Sequence, residues 1–155
     1  MTWTFKTFDQ LTTLELYRIL QERTQVFVVE QRCPYPEVDG KDLESVHLYR
    51  MDDEGNIMAY LRLLPAGLAY KEASIGRVLV NQAYRGKGIA AELVQRGLDY
   101  IRQEWREAEV KIQAQAYLEK FYHSFGFVKV SETYLEDDIP HIDMKMRFES
   151  RTAQS

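Results

Sequence analysis

Cysteine is almost absent. Cys33 is the only thiol in 155 residues, so no internal disulfide can form, and the usage fits a reducing compartment. No apolar run reaches the length of a membrane span, about eighteen residues. The opening residues show no signal-peptide pattern, so the chain reads as cytoplasmic. An excess of one charge is also missing: 20 Lys and Arg stand against 24 Asp and Glu, for a net charge of −4. That balance gives no general attraction to nucleic acid or anionic membranes, and neither is expected as a partner. The three histidines, His47, His123 and His141, have no metal-motif spacing, so no metal is expected. Repeats, low-complexity tracts and linkers are lacking as well, which predicts one domain over residues 1–148 and a frayed polar tail over 149–155. What remains is an ordinary globular composition, 45% hydrophobic and 28% charged, in a chain long enough to bury a core.

Residues 2–8 alternate and predict a first or edge strand. Helical spacing follows at Leu14, Tyr17 and Leu20, while "VFVV" at 26–29 suits either a helix end or a strand. "CPYPEVDGKD" at 33–42 carries two prolines and a glycine and predicts a loop. The runs 45–51 and 57–64 flank "DDEGN" and predict a hairpin. Next come a β-branched strand over 73–80 and a helix with Ala90, Val94, Leu98, Ile101 and Trp105 on one face. Residues 110–116 alternate as a half-buried strand, and "YLEKFYHSF" predicts a short helix that Gly126 ends in a left-handed cap. "FVKVSETY" and "HIDMKMRF" predict two more strands joined by "LEDDIP". The helix between strands 73–80 and 110–116 is a crossover, which implies a parallel pair. The fold class is therefore α/β, a mixed and mostly antiparallel sheet, with ligands expected at the carboxyl end of the fourth strand.

At that end stands "YRGKGIA", residues 84–90. Glycines on a strand-to-helix turn expose backbone N–H groups and the positive end of the helix dipole, an anion site. The stretch is neither GxxxxGK[ST] nor GxGxxG, and no ribose-binding acid follows. A phosphate or pyrophosphate is expected there, but not in a P-loop or a dinucleotide fold.

"VLVNQAYRGKGIA" resembles motif A of the GNAT superfamily of N-acetyltransferases, with Arg85, Gly88 and Ala90 in its defined positions. "FYHSFGF" resembles the later segment of the same superfamily, in which a Tyr precedes a Gly-Phe pair by four residues; Tyr122, Gly126 and Phe127 match. Residues 23–42, 112–127 and 134–144 look like its ElaA-like subgroup, so the resemblance runs to about Phe148 and favours a helix end for "VFVV". It implies the GNAT fold, with the parallel pair splayed at the cofactor slot, and acetyl-coenzyme A as cofactor. The pyrophosphate would lie on Gly86, Lys87, Gly88, Ile89, Ala90 and Ala91, beside Arg85. The pantetheine arm would pair with Val78, Leu79 and Val80. Gln115 stands where many members carry Asn on the fifth strand.

Acetyl transfer to an amine needs a neutral amine, a donor to the carbonyl oxygen and a proton for the departing thiolate. Strand four offers the N–H near Leu79 and Val80, and the resemblance makes Tyr122 the acid. Candidates for the base and for substrate contacts are Glu30, Glu37, Asp39, Glu136, Asp137 and His141, with a water relay as an alternative. His47 is a further candidate, although its place on a strand face favours a structural role. Arg77, inside an apolar strand, needs a buried partner, either an internal carboxylate or an anionic substrate group, and the internal pair is favoured. Cys33 reads as a small buried hydrophobe rather than a nucleophile. The resemblance implies that the segments carrying Glu37, Asp39 and Asp42 and carrying Glu136, Asp137 and Asp138 flank the acetyl end of the cofactor, where their negative charge would attract a cationic amine. The expected activity is direct acetyl transfer to a primary amine, small-molecule or peptide, and a homodimer is compatible with it. The alternatives are a non-catalytic acyl-coenzyme A-binding or sensing module, and a nucleotide-binding protein.

Overall fold

Thr12 opens the first helix with a reciprocal cap: its hydroxyl accepts from the Glu15 amide at 3.1 Å, and the Glu15 carboxylate accepts from the Thr12 amide at 2.8 Å. That helix, α1, spans Thr13–Arg23 and follows strand β1, Thr4–Thr7. The structure, a computed structural model, describes residues 2–149, so the polar tail lies outside the described residues from Ser150 onward. The helix α1 continues without a break into a π-helical turn, Thr24–Glu30, so "VFVV" is the end of a helix. The face expected from Leu14, Tyr17 and Leu20 is not the buried one. Leu14 and Tyr17 are exposed, while Ile19, Arg23 and Val26 are buried. The inner face carries an arginine, which a search for apolar period cannot see.

Strands β2 (Val46–Met51), β3 (Ile57–Leu64) and β4 (Ser74–Val80) follow, then α2 (Ile89–Gln103) and β5 (Glu109–Gln115). The rest comprises α3 (Glu119–His123), β6 (Val128–Lys129), β7 (Tyr134–Glu136) and β8 (Ile139–Arg147). One antiparallel sheet has the order β1-β2-β3-β4, and a second has β5-β8-β6 with β7 also paired to β8. Among the described residues the sheets meet at a single parallel bridge, Ala73 to Val110. The expected parallel pair is therefore present and splays from that point.

The expected strand over 127–134 is broken. The Ser131 hydroxyl takes the Asp143 amide at 2.9 Å, so a side chain replaces the ladder bond there. "LEDDIP" is a tight hairpin whose tip is Asp137 and Asp138, both at positive φ, with Glu136 paired to Ile139.

The core lies between α2 and the face of β2–β4 that carries Val46, Leu48, Leu61 and Leu63. Leu93, Val94, Leu98 and Ile101 fill the helix side, each stabilising the fold by ~1.5–3 kcal/mol when fully buried. Gly97 sets the spacing of the two layers: a Cβ there would lie 3.2 Å from a Leu63 methyl and 3.3 Å from one of Leu61. On the other face, Ile19 and Val26 close over Tyr49, Tyr60 and Leu79.

Candidate active site

The gap between β4 and β5 opens beyond the Lys111 amide, which donates to the Ala73 carbonyl at 3.0 Å. In β4 the ladder to β3 is interrupted, with Arg77 and Val78 together facing Leu61. Such a bulge bends the strand and re-aims its edge. Arg77 adopts φ +53°, strained for a side chain of this size. A cavity of about 1010 Å³ fills the opening.

One end of the cavity is the turn into α2. Gly88 precedes the helix at φ +80°, and no side chain among the described residues caps it. None of the amides from Gly86 to Ala91 has an acceptor among the described residues, so these donors face the opening together with the helix dipole. A Cβ on Gly86 or Gly88 would meet nothing within 4 Å, so the space in front of the turn is open. These properties fit a pyrophosphate. Arg85 donates from Nε to the Val80 carbonyl and from Nη2 to Glu30, each at 2.8 Å. Gly86, Gly88, Ile89, Ala90 and Ala91 line the cavity, whereas Lys87 does not; its ammonium lies 5.9 Å from the centre of the Tyr84 ring.

Val78, Leu79, Val80 and Gln115 line the middle of the gap, with Tyr122. The Tyr122 side chain is buried and fixed edge-on against Phe121 and Phe127. Its hydroxyl has no partner among the described residues, and burial pushes its pKa above the ordinary value, keeping the proton in place. Gly126 adopts φ +105° after α3, so the chain turns back where Gly was expected to cap it.

At the far end the loop over 33–42 is pinned by three arginines from three elements. Arg23 of α1 and Arg77 of β4 both reach Glu37 Oε2, at 2.8 and 2.5 Å. Arg62 of β3 holds Asp39 at 2.6 Å and shares Asp42 with Arg23, at 3.0 and 2.7 Å. The internal ion pair favoured for Arg77 is present. One expectation is corrected here: Glu37, Asp39 and Asp42 are each neutralised by guanidinium groups and add no free negative charge to the slot mouth. Burial alone would raise the Asp42 carboxyl, but Arg23 and Arg62 outweigh it and hold it below the usual range. His47 does not line the cavity; it contacts the Tyr60 hydroxyl at 2.7 Å and the Asp42 carbonyl at 3.0 Å, a structural place.

Glu136, Asp137 and His141 line the cavity and make no ion pair among the described residues. The His141 Nδ1 contacts the Ile139 carbonyl at 2.7 Å, and Nε2 has no partner among the described residues. The loop touches the hairpin tip through the Cys33 thiol, 3.4 Å from the Asp137 carbonyl, and the Tyr35 hydroxyl, 3.3 Å from Asp138. Burial raises the thiol pKa, with Asp137 and Asp138 adding to it, which disfavours the thiolate form of Cys33. Arg23 and Arg62 were missed by the sequence reading. Arg62 carried the same signal as Arg77, a guanidinium inside an apolar strand.

Comparison with known proteins agrees with this geometry. Residues 6–148 match the family model described as an acetyltransferase (GNAT) domain. The chain belongs to the GNAT family. Protein ElaA of Escherichia coli is 41% identical over 138 residues, 88% of this chain and 90% of ElaA. Among solved structures, an acyl-CoA N-acyltransferase from Pseudomonas aeruginosa superposes with a TM-score of 0.89 at 48% identity, covering 94% of this chain and 98% of that one. The E. coli ElaA structure gives 0.88 at 38% identity, covering 94% and 99%. The fold is thus the GNAT fold, and its two signature stretches, 84–90 and 121–127, border the same cavity. Among the described residues no helix is long and apolar enough to cross a membrane, and no His, Cys, Asp and Glu cluster could hold a metal.

Proposed function

We propose that this GNAT protein transfers an acetyl group directly from acetyl-coenzyme A to a primary amine in the cytoplasm. The observation that carries this reading is the hydroxyl of the buried residue Tyr122, without a partner among the described residues, in the same cavity as the unbonded amides of Gly86 to Ala91. The P. aeruginosa neighbour, described as an acyl-CoA N-acyltransferase, supports the donor class. Bound acetyl-coenzyme A would supply an electrophilic thioester carbon and a thiolate leaving group.

The amides at the turn bind the pyrophosphate oxygens, and Arg85 adds a guanidinium once it releases Glu30. The open edge of β4, from Val78 to Val80, pairs with the pantetheine amides, with Gln115 opposite. The N–H near Leu79 and Val80 donates to the thioester oxygen as it gains charge, a contact worth ~3–4 kcal/mol. Tyr122 protonates the leaving sulfur. Glu136, Asp137 and His141 stand at the amine end, where one of them, or a water they hold, removes the ammonium proton. Glu37 and Asp39 keep the acceptor loop in place instead of acting as bases.

A screen of amine pools for coenzyme A release tests the activity. Tyr122→Phe should then lower kcat ~10²-fold or more, with acetyl-coenzyme A affinity little changed by calorimetry. Turnover within twofold of wild type would reduce Tyr122 to a packing residue. Binding of acetyl-coenzyme A with no release for any amine would favour the sensing module.

A further inference from the structure

Arg62, Ser74 and Gly76 line the acceptor end of the cavity, and the transferase reading leaves all three unused. They share one face of the β3–β4 ladder, where Arg62 pairs with Gly76 and Leu64 with Ser74. Arg62 is 3% exposed, and its Nη atoms are taken by Asp39 and Asp42. Its Nε, also buried, has no acceptor among the described residues. The Nε atoms of Arg18 and Arg50 are unpartnered too, but neither residue lines the cavity. Ser74 is 4% exposed, and its hydroxyl bonds to no described residue. Gly76 has no backbone need to be glycine, because its φ is not left-handed; a Cβ there would lie 3.7 Å from Arg62 Nε. No side chain at position 76 fills the space beside that donor.

Charge around these donors is not symmetric. The Lys41 amide shares Asp39 Oδ1 with Arg62, at 3.0 and 2.8 Å, which roots Lys41 beside the guanidinium. Lys41 lines the cavity and forms no ion pair among the described residues. The unpaired carboxylates of Glu136 and Asp137 belong to a different wall, the hairpin tip. One wall thus offers donors and a cation, and the other offers anions.

We propose that the wall of Arg62, Ser74 and Lys41 is a carboxylate subsite, so that the acceptor is a zwitterion: an amine that also carries a carboxylate, as in an amino acid or short peptide. This rests on the transferase reading for the place of the amine. The carboxylate accepts from Arg62 Nε and Ser74 Oγ and is balanced by Lys41, while Glu136 and Asp137 face the ammonium group. A buried donor left without an acceptor is costly, and a ligand oxygen removes that cost.

The test is calorimetric binding to the coenzyme A-loaded full chain. The probes are glycine, 3-aminopropanoate, 4-aminobutanoate and 5-aminopentanoate, each beside the alkylamine that lacks its carboxylate. At least one carboxylate member should bind tenfold or more tightly than its partner amine. Gly76→Ala, whose methyl makes only ordinary contacts, should shrink that ratio towards one, and so should Ser74→Ala. Equal binding within every pair, no binding by any member, or an undiminished ratio in both variants overturns the proposal. Because binding is read without turnover, a failure of acetyl transfer does not mask the result. Turnover with a preference for carboxylate-free amines would overturn the subsite and leave the transferase intact.

Discussion

Asp42→Asn removes one negative charge from between two buried guanidinium groups. Asp42 Oδ1 lies 2.7 Å from Arg23 Nη1 and 3.0 Å from Arg62 Nη1, and the side chains are 7%, 0% and 4% exposed in that order. An asparagine amide keeps the shape and one acceptor but leaves the cations under-compensated where water cannot reach them. Breaking a buried pair in this way costs ~3–5 kcal/mol. For a domain of this length each kcal/mol shifts Tm by ~2–4 °C, so Asp42→Asn should melt about 6 to 20 °C below wild type at pH 7. Circular dichroism melts with matched urea titrations read this directly. Arg96→Gln is the control: Arg96 meets Glu92 at 3.6 Å, both half-exposed, and its loss should cost within ~0.5 kcal/mol. The acid dependence has a defined sign. The folded carboxyl of Asp42 lies below its unfolded value of 3.8, so its stabilisation is complete above that value and lost as pH falls below it. An Asp42→Asn protein melting within about 2 °C of wild type would refute the reasoning, because a buried charge would then have been removed at a surface cost.

Gly88→Asp places a carboxylate where the pyrophosphate is expected, and aspartate tolerates left-handed φ, so the protein should fold yet lose coenzyme A affinity at least tenfold, about 1.4 kcal/mol by calorimetry. Unchanged affinity would move the anion site away from Gly86–Ala91. His47 is held neutral by burial, its pKa below 6.5, so the unfolded chain binds a proton that the folded chain does not. Stability should therefore fall as pH drops below that value, by up to ~1.4 kcal/mol per pH unit, and His47→Gln should flatten the slope. A melting temperature constant between pH 7 and 5 would contradict this.

Local signals that point to one neighbour were legible in the sequence. The helix face with Val94, Leu98 and Ile101, the alternation of β5 and β8, and the uncapped glycine turn all depend on near residues. Long-range pairing was not legible. The carboxylates of the 33–42 loop looked like a free acidic rim because Arg62 and Arg77, which neutralise Asp39 and Glu37, come 23 and 40 residues later in the chain. The same blindness hid the inner face of α1, where Arg23 is buried only because Glu37 and Asp42 meet it. The bulge in β4 was also invisible, since a two-against-one register leaves no mark in the alternation of a short apolar run.

The single rung between Ala73 and Val110 has a consequence for solubility. Beyond that rung β4 and β5 each present an edge of the kind that in an open sheet recruits other chains and seeds aggregation. Here the two edges face into one wedge, out of reach of each other and closed to a second folded sheet. Only a slender extended molecule fits between them. The geometry that makes a binding slot is therefore also a safeguard, hiding these two backbone edges from every partner except a thin one.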